Sequence, residues 1–449
     1  MRLKNTWILL VIAAGFLIYF FAVEQPRHEK NLAGIEQSSK ITSLSLQDIH
    51  YVMIERRGET VAFERVPEGW VMTSPVEDLA DKAAVNTLIS SAVGARIESV
   101  VESGGTDASR YGLGSTPDAT LLLFSSGKDS SLTMRIGGHN ITKSHCYVQV
   151  DASAEVVLLP AGLRRYALQE VSEFRDISLI DFVLADVARM QLSGPARTLS
   201  WSKDSQGRWA AVVAGDTISG NRTEIEAILH RLRGIRIKSF MSDDPLDLST
   251  YFAGPAGTIS FSIAEESTAC SVLFSARDAD SCFAVVEGGS RIVSIDATIL
   301  SAFDRSYDDL RDKNILHFVR DDVVKIRMVT SDTTATVIKL ASEWTFANPA
   351  MSEIDQTKIN DLLVLLQGLR FRVVLASRLD GSSLDEFNHP ALRVSLYDDR
   401  EMIVDEFFCS RPQEDGQARA TSRTSAILGT VPGESLKAVE QAFRGIRSQ

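Results

Sequence analysis

Few side chains in this sequence have the types and the spacing that catalysis requires. The pattern Ser-x-x-Lys occurs at Ser125–Lys128 and at Ser200–Lys203. It makes a nucleophile when the serine begins a helix and the lysine, one turn later, takes its proton. Both copies lie in sequence that is typical of strands and turns. We therefore interpret them as structural and predict no catalytic residue.

His139, His145 and Cys146 form a local cluster of side chains that bind metals. A hairpin would bring the two histidines together, and zinc accepts both nitrogen and sulfur ligands. A structural zinc site needs four ligands, however, and no second cluster has a suitable spacing. We predict a polar hairpin loop here, with no metal and no other cofactor.

Other signatures of enzymes are missing from the sequence. It has neither a phosphate-binding glycine loop nor the Gly-x-Ser-x-Gly elbow of many hydrolases. The acidic pairs Asp243-Asp244, Asp308-Asp309 and Asp398-Asp399 lack the ligand spacing of a calcium loop, so we interpret them as solvated turn residues. The chain is not expected to be an enzyme.

The composition narrows the classes of partner. The 449 residues include 47 basic and 59 acidic side chains, for a net charge of −12. An acidic balance argues against a nucleic-acid binder, which needs basic surface. Four cysteines are too few for a disulfide-built scaffold. Cys270 is poorly placed to pair with Cys282, so free buried thiols are expected.

The N-terminal sequence is typical of a membrane anchor. Arg2 and Lys4 precede an uncharged apolar run over residues 6–23, which at roughly 1.5 Å per residue is just long enough to cross a bilayer as a helix. The rival reading is a cleaved signal peptide, but no clean cleavage site follows. We predict a transmembrane anchor over residues 1–23 with its N-terminus in the cytoplasm, then a linker over residues 24–43.

The chain aligns with itself three times. A Gly-x-Arg motif recurs at Gly94, Gly234 and Gly368, and each copy follows an apolar stripe with helical spacing. The stripe residues are Val85, Leu88, Ile89 and Ala92, then Ile225, Ile228, Leu229 and Leu232, then Ile359, Leu362, Leu363 and Leu366. The pattern predicts one amphipathic helix per repeat, ending at the glycine.

Further residues recur in the same register. They are Trp70, Trp209 and Trp344; Tyr111, Tyr251 and Phe387; Asp48, Asp186 and Asp322; and the triplets Phe174-Arg175-Asp176 and Leu310-Arg311-Asp312. We interpret each tryptophan as a core residue at a strand end, and each arginine of the Gly-x-Arg motif as a partner for an acid of its own repeat.

These anchors predict three repeats over residues 44–181, 182–317 and 318–449. Each should have two strands ending at the tryptophan, a long helix, three or four more strands and a second helix. The predicted second helices are Ala161–Glu173, Ala297–Leu310 and Glu434–Arg444. The predicted fold class is α+β, with a transmembrane helix followed by three tandem α+β domains whose sheets are mostly antiparallel.

The first repeat resembles the domain-of-unknown-function family DUF4340. The resemblance rests on Asn5-Thr6-Trp7-Ile8-Leu9-Leu10, Gly69-Trp70 with Pro75, Asp81-Lys82-Ala83-Ala84-Val85, Tyr111-Gly112-Leu113, Ile136-Gly137-Gly138 and Tyr147-Val148-Gln149-Val150. The second repeat lacks a proline after Trp209, and the third has Phe387-Asn388-His389 in place of the Tyr-Gly-Leu motif. The resemblance implies a membrane-anchored bacterial protein, often encoded with ABC-type export permeases and gliding-motility-type auxiliary proteins, without established catalytic residues.

Two functions follow as hypotheses. The first is an interaction or scaffold protein, held by residues 6–23 at a bacterial inner membrane with its body in the periplasm. An ABC-type permease or another envelope protein would be its partner. The alternative is an extracytoplasmic carrier or receptor for a lipid, glycan or peptide, with Tyr111, Tyr251 and Phe387 lining a groove.

Overall fold

A computed structural model describes residues 40–104, 108–125, 131–263, 269–331, 333–347, 354–377, 387–425 and 427–446. The described chain divides into two compact units, the first ending at Ser178 and the second beginning at Leu179. The first unit contains one β-sheet and the second unit contains two.

Within the described residues, the three sheets contain nine, nine and eight strands. The first has β1 (Ile49–Arg56), β2 (Glu59–Val66), β3 (Gly69–Ser74), β4 (Asp78–Ala80), β5 (Ser99–Glu102), β6 (Ala119–Ser125), β7 (Ser131–His139), β8 (His145–Val150) and β9 (Val156–Pro160). The second has β10 (Arg189–Ser193), β11 (Thr198–Lys203), β12 (Trp209–Val213), β13 (Asp216–Ser219), β14 (Ser239–Ser242), β15 (Pro255–Ser262), β16 (Cys270–Ser275), β17 (Ser281–Val286) and β18 (Ile292–Asp296). The third has β19 (Lys325–Thr330), β20 (Thr334–Leu340), β21 (Glu343–Phe346), β22 (Val373–Ala376), β23 (Leu392–Tyr397), β24 (Ile403–Cys409), β25 (Gln417–Ser422) and β26 (Leu428–Pro432).

The three sheets share one topology, except that the outermost strands β4 and β13 have no counterpart among the described residues of the third sheet. The spatial orders are β4-β3-β2-β1-β6-β7-β8-β9-β5, β13-β12-β11-β10-β15-β16-β17-β18-β14 and β21-β20-β19-β23-β24-β25-β26-β22. Strands that are neighbours in sequence mostly form antiparallel hairpins, and one short strand crosses over to the far edge of each sheet. Apolar residues alternate along the central strands, so every second side chain enters a core. In β6, for example, Ala119, Leu121 and Leu123 are fully buried.

The described α-helices are α1 (Lys82–Val93), α2 (Gly162–Ala167), α3 (Arg222–Arg233), α4 (Leu248–Tyr251), α5 (Tyr307–Leu310), α6 (Gln356–Gln367) and α7 (Gly433–Arg444). Short 3-10 helices lie at Ala108–Tyr111, Val171–Phe174, Leu184–Asp186, Pro245–Asp247, Ala297–Ala302 and Arg320–Asp322.

The predicted α+β class is wrong. Strands hold 43% and helices 23% of the described residues, so the fold is mainly antiparallel β. Two of the predicted second helices are not continuous. The predicted helix Ala161–Glu173 consists of α2 and the 3-10 turn Val171–Phe174. The predicted helix Ala297–Leu310 consists of the 3-10 turn Ala297–Ala302 and the one-turn helix α5. Short apolar runs with interrupted spacing do not distinguish a helix from turns and strands. The helix content predicted from the sequence was therefore too high.

The predicted anchor over residues 1–23 lies outside the described residues, as does residue range 24–39 of the predicted linker. Among the residues that the structure describes, no helix is long and apolar enough to span a membrane. The predicted transmembrane part of the fold class therefore has no counterpart in the described helices. The repeat boundaries at 181 and 317 stay predictions, although the strands of each sheet fall inside one predicted repeat.

The predicted helical stripes are confirmed, because all their residues are buried on one side of α1, α3 and α6. Each helix begins at a capping side chain, Asp81, Asn221 or Asp355, whose oxygen accepts backbone N–H groups of the first turn. Each ends at the predicted glycine. Gly94 has an ordinary right-handed φ of −87°. It is required because a Cβ there would lie 2.7 Å from the carbonyl oxygen of Ser90.

The same three capping residues also close the repeats. Their backbone N–H groups donate to carbonyl oxygens of a returning segment: Asp81 to Phe174 at 2.7 Å, Asn221 to Leu310 at 2.7 Å and Asp355 to Ile446 at 2.9 Å. In the first two repeats this returning segment is the recurring Phe/Leu-Arg-Asp triplet. Each triplet adds a β-bridge at its arginine, Ala80 to Arg175 and Gly220 to Arg311.

The junction into the third sheet contains a buried carboxylate. Asp405 is fully buried and accepts backbone N–H groups from His317 at 2.8 Å, Glu406 at 2.8 Å and Thr424 at 3.2 Å. The His317 Nε2 lies 2.8 Å from Asp312 Oδ2. The hydrogen bond with Asp312 raises the pKa of His317, and the charges of Asp312 and Asp405 act in the same direction, against desolvation and the positive charge of Arg208.

Removing one helix cap should loosen that helix. We expect Asn221→Ala to destabilise the start of α3 by about 1 kcal/mol, because two backbone N–H groups lose their acceptor. Hydrogen exchange measured by mass spectrometry should be about fivefold faster across α3. Asp216→Ala, at a nearby exposed strand position, is the control and should leave α3 unchanged. Unchanged exchange in Asn221→Ala would show that the cap contributes nothing.

The His317–Asp312 pair should make the stability of the second unit depend on pH. A raised pKa in the folded chain means that the stabilisation is fully present below the ordinary pKa of 6.5 and is lost as the pH rises through the raised value. We therefore expect His317→Gln to lower the denaturant midpoint more at pH 5.5 than at pH 8.5. His50→Gln, at an exposed position, serves as the control. An equal loss at both pH values would contradict the assignment.

Candidate functional site

The Ser-x-x-Lys pattern at Ser200 does not form a nucleophile pair. Both residues lie in strand β11, and the Ser200 Oγ faces Gln191 Oε1 at 3.5 Å. Lys203 is held elsewhere: its Nζ donates to the carbonyl oxygen of Ala185 at 3.1 Å and lies 5.2 Å from the ring centre of Trp209. At the other copy, Lys128 lies outside the described residues.

The histidine and cysteine cluster sits in the predicted hairpin, and each member has its own partner. His139 Nε2 lies 3.3 Å from Arg164 Nη1, and His145 Nδ1 lies 2.9 Å from Ser144 Oγ. Cys146 is fully buried, and burial raises the pKa of its thiol to about 11, so it is a poor metal ligand. In the part of the chain that the structure describes, no three His, Cys, Asp or Glu side chains are placed to hold a metal ion.

The expectation of free thiols is confirmed, since Cys146, Cys270, Cys282 and Cys409 are all unpaired. Burial is the largest cause that raises the pKa of Cys282 to about 11 and of Cys409 to about 12. Thiols with such values stay protonated at neutral pH and are weak nucleophiles.

The acidic pairs stabilise turns. Asp244 Oδ1 accepts the N–H of Leu246 at 2.9 Å, and Asp309 forms a capping box with Ser306 at the start of α5. Asp398 Oδ1 accepts two N–H groups in the turn between β23 and β24. These contacts agree with the turn role that the sequence suggested.

The recurring aromatic residues pack on their sheets. The ring of Tyr111 lies 4.7 Å from that of Tyr147, and the ring of Tyr251 lies 4.8 Å from that of Phe283. Phe387 is 8% exposed. The predicted core role of the tryptophans is also confirmed: Trp70, Trp209 and Trp344 are 3%, 2% and 6% exposed.

One functional surface did not emerge from sequence patterns: the face of each sheet that lies opposite the long helices, which we call the open face. The central strands β1, β10 and β19 occupy equivalent places, and their core-facing side chains are alike: Val52 and Ile54, Met190 and Leu192, Ile326 and Met328. The intervening side chains point to the open face, and there the three sheets differ in chemistry.

The open face of the first sheet is apolar and aromatic. Met53 lies in register between Ala62 and Leu122. One row away, the rings of Tyr51 and Phe124 lie 5.6 Å apart. These side chains form a partly buried apolar patch.

The open face of the second sheet carries hydroxyl and amide groups. Gln191, the equivalent of Met53, lies between Ser200 and Ser260, and Arg189 lies between Ser202 and Ser262. These residues line a cavity of about 460 Å³. The Oγ of Ser262 is buried and has no hydrogen-bond partner among the described residues. An unpaired buried hydroxyl in a polar cavity is able to bind a ligand atom or water.

A second cavity on this face is apolar. It has a volume of about 440 Å³ and lies between the segment that contains α4 and the strands β16 and β17. Its apolar lining includes Leu248, Phe252, Leu273 and Val285. Phe252 lines it, whereas the recurring Tyr251 packs beside it on Phe283.

The open face of the third sheet is cationic. Arg327, the equivalent of Met53 and Gln191, lies between Thr336 and Ser395. Arg327, Arg393 and Arg411 line a cavity of about 460 Å³. Lys325 lies on the same face, but its Nζ is paired with Glu401 at 3.2 Å and lies 4.9 Å from the ring centre of Tyr397. A signal for the three faces was present in the sequence, because Met53, Gln191 and Arg327 occupy equivalent positions in the aligned repeats and differ in type.

Comparison with protein families gives two matches, over residues 70–252 and 212–388, to the family described as "Domain of unknown function (DUF4340)". The two matches are offset by about one repeat length, in keeping with the repeated topology. Comparisons with curated proteins and with solved structures give no match. Because the family matches cover more than half of the chain, the chain belongs to the DUF4340 family.

Proposed function

We propose that this protein is an interaction or scaffold protein whose open sheet faces bind other proteins of the bacterial envelope. The observation that carries the proposal is the contrast between the two faces of the sheets. Equivalent core positions keep similar apolar residues, whereas equivalent open-face positions hold Met53, Gln191 and Arg327. An exposed apolar patch and cavities lined by polar or cationic side chains are features by which protein surfaces bind other molecules.

The sheet edges are less suited to binding than the faces. At one edge of each sheet, β5, β14 and β22 are four residues long and each is interrupted by a register shift. The strands at the opposite edges, β4, β13 and β21, are only three or four residues long. Short, bulged edges are a common way to prevent strand addition. Partner binding is therefore assigned to the faces.

The proposed location is the outer side of a bacterial inner membrane, and the proposed complex is an ABC-type export or gliding-type envelope assembly. The location is supported by sequence alone, through Arg2 and Lys4 ahead of the apolar run. The partner class is supported by the genes that often accompany members of the family. The missing catalytic signatures also favour a binding role over an enzymatic one.

A charged residue in the apolar open face of the first sheet should disrupt the complex. The full chain is purified in mild detergent, and the proteins that co-purify are quantified by mass spectrometry. We expect a permease and its ATPase in stoichiometric amounts with the natural chain, and at least tenfold less with Met53→Arg. The control, Ser90→Arg, adds the same charge on the exposed side of α1 and should leave the yield unchanged.

Two results would contradict this proposal. One is a lone chain that carries bound lipid or glycan and no protein. The other is equal recovery of the partners with Met53→Arg and with Ser90→Arg, provided that both variants fold.

The apolar cavity beside α4 favours a second candidate function, the binding of a lipid or another apolar ligand. Its volume is within the range of small-molecule sites, roughly 300–1,000 Å³. If this function is correct, lipid extracted from the purified chain should be lost in Leu248→Trp, which fills the cavity. It should be retained in Leu246→Trp, whose side chain is 81% exposed. Absence of lipid from the natural chain would rule this candidate out.

A further inference from the structure

We propose that the cationic cavity on the open face of the third sheet, the third-sheet pocket, binds the phosphate group of a small organic molecule. Arg327 extends from β19, Arg393 from β23 and Arg411 from the segment after β24. All three line one cavity of about 460 Å³. Guanidinium groups donate paired hydrogen bonds that fit the oxygen atoms of phosphate.

The charge balance of the pocket favours a dianion. Arg393 forms an ion pair with Glu406. The Nε and the Nη2 of Arg393 each lie 2.7 Å from the Oε1 of Glu406. Arg327 and Arg411 have no carboxylate within ion-pair distance among the described residues, and none of the pocket-lining residues that are described is acidic. Two arginines without an ion-pair partner among the described residues, in a chain of net charge −12, match a phosphate monoester better than a single carboxylate.

One of the arginines is held in place before any ligand binds. Glu406 is only 4% exposed, and it also accepts a hydrogen bond from the Ser395 hydroxyl. The Arg393 guanidinium carbon lies 5.2 Å from the ring centre of Phe408. An arginine fixed by an ion pair and an aromatic ring loses little side-chain freedom on binding.

The pocket is larger than a phosphate ion, and part of its wall is apolar. Val329 and Pro390 line it beside the arginines. An organic group attached to the phosphate would contact this wall, and the apolar surfaces of both would be buried from water. Phenyl phosphate should therefore bind more tightly than inorganic phosphate.

Folding does not require these charges. The second sheet has the same order of central strands. At the positions equivalent to Arg327, Arg393 and Glu406, it has Gln191, Thr258 and Ser271. The same scaffold therefore forms with uncharged residues at these positions. The combination of arginines and the buried glutamate is a feature of the third repeat alone.

The test is calorimetric titration of the full chain, in a neutral detergent, with phenyl phosphate, inorganic phosphate and benzoate. We expect phenyl phosphate to bind most tightly, and its affinity to fall as salt is added. Arg327→Gln, which copies the residue of the second sheet, and Arg411→Gln should each weaken binding at least tenfold. Arg400→Gln, in the exposed turn after β23, removes the same charge outside the pocket and should bind like the natural chain.

Soluble dihexanoyl-phosphatidylglycerol is a further arm, because a phosphate group can also belong to a lipid. Binding of this lipid alone, with the same loss in both variants, would assign the site to a lipid headgroup. Binding of neither phosphate compound, or equal binding by the natural chain and by folded Arg327→Gln and Arg411→Gln, would overturn the proposal. The outcome is separate from the proposed interaction role, which the Met53→Arg comparison tests on another sheet.

Discussion

The hydrogen bond between the cap of the first helix and the returning segment organises each repeat. One residue, Asp81, Asn221 or Asp355, begins the helix with its side chain and holds the end of the repeat with its backbone N–H. The helix is thereby fixed over one face of the sheet, where its apolar stripe enters the core. The opposite face is left without a long helix, so its side chains are free to differ between repeats without a cost in packing.

Much of this scaffold could be predicted because it is encoded locally. Spacing alone identified the buried stripes of α1, α3 and α6, the glycine that ends each helix and the core tryptophans. The predicted fold class was wrong because the second helices of two repeats are short turns. The apolar residues in these segments are interrupted, so their spacing does not distinguish a helix from a turn. The Phe/Leu-Arg-Asp triplets were found as a repeat, but their role depends on contacts across about a hundred residues, which no local pattern encodes.

The candidate sites were harder to predict for a related reason. An exposed arginine such as Arg327 can be identified as part of a site only when the strand register places it beside other arginines. The buried Asp405 occupies a core-facing position in β24, where an apolar residue is expected. Two of its three backbone donors, His317 and Thr424, come from other segments, so its burial can be explained only in the folded chain. In contrast, the clusters that looked chemical in the sequence, at His139, Cys146 and Ser200, have ordinary structural partners.

We propose that the open faces of the sheets, and not the helix-covered sides, bind other molecules. The most direct measurement is photo-crosslinking in living cells, with a photoreactive amino acid placed at equivalent positions of the three repeats. Met53, Gln191 and Arg327 sample the open faces, and Thr87, Ala227 and Asp361 sample the exposed sides of α1, α3 and α6. We expect crosslinks to other proteins from one or more open-face positions and none from the helix positions. Crosslinks confined to the helix positions would contradict it.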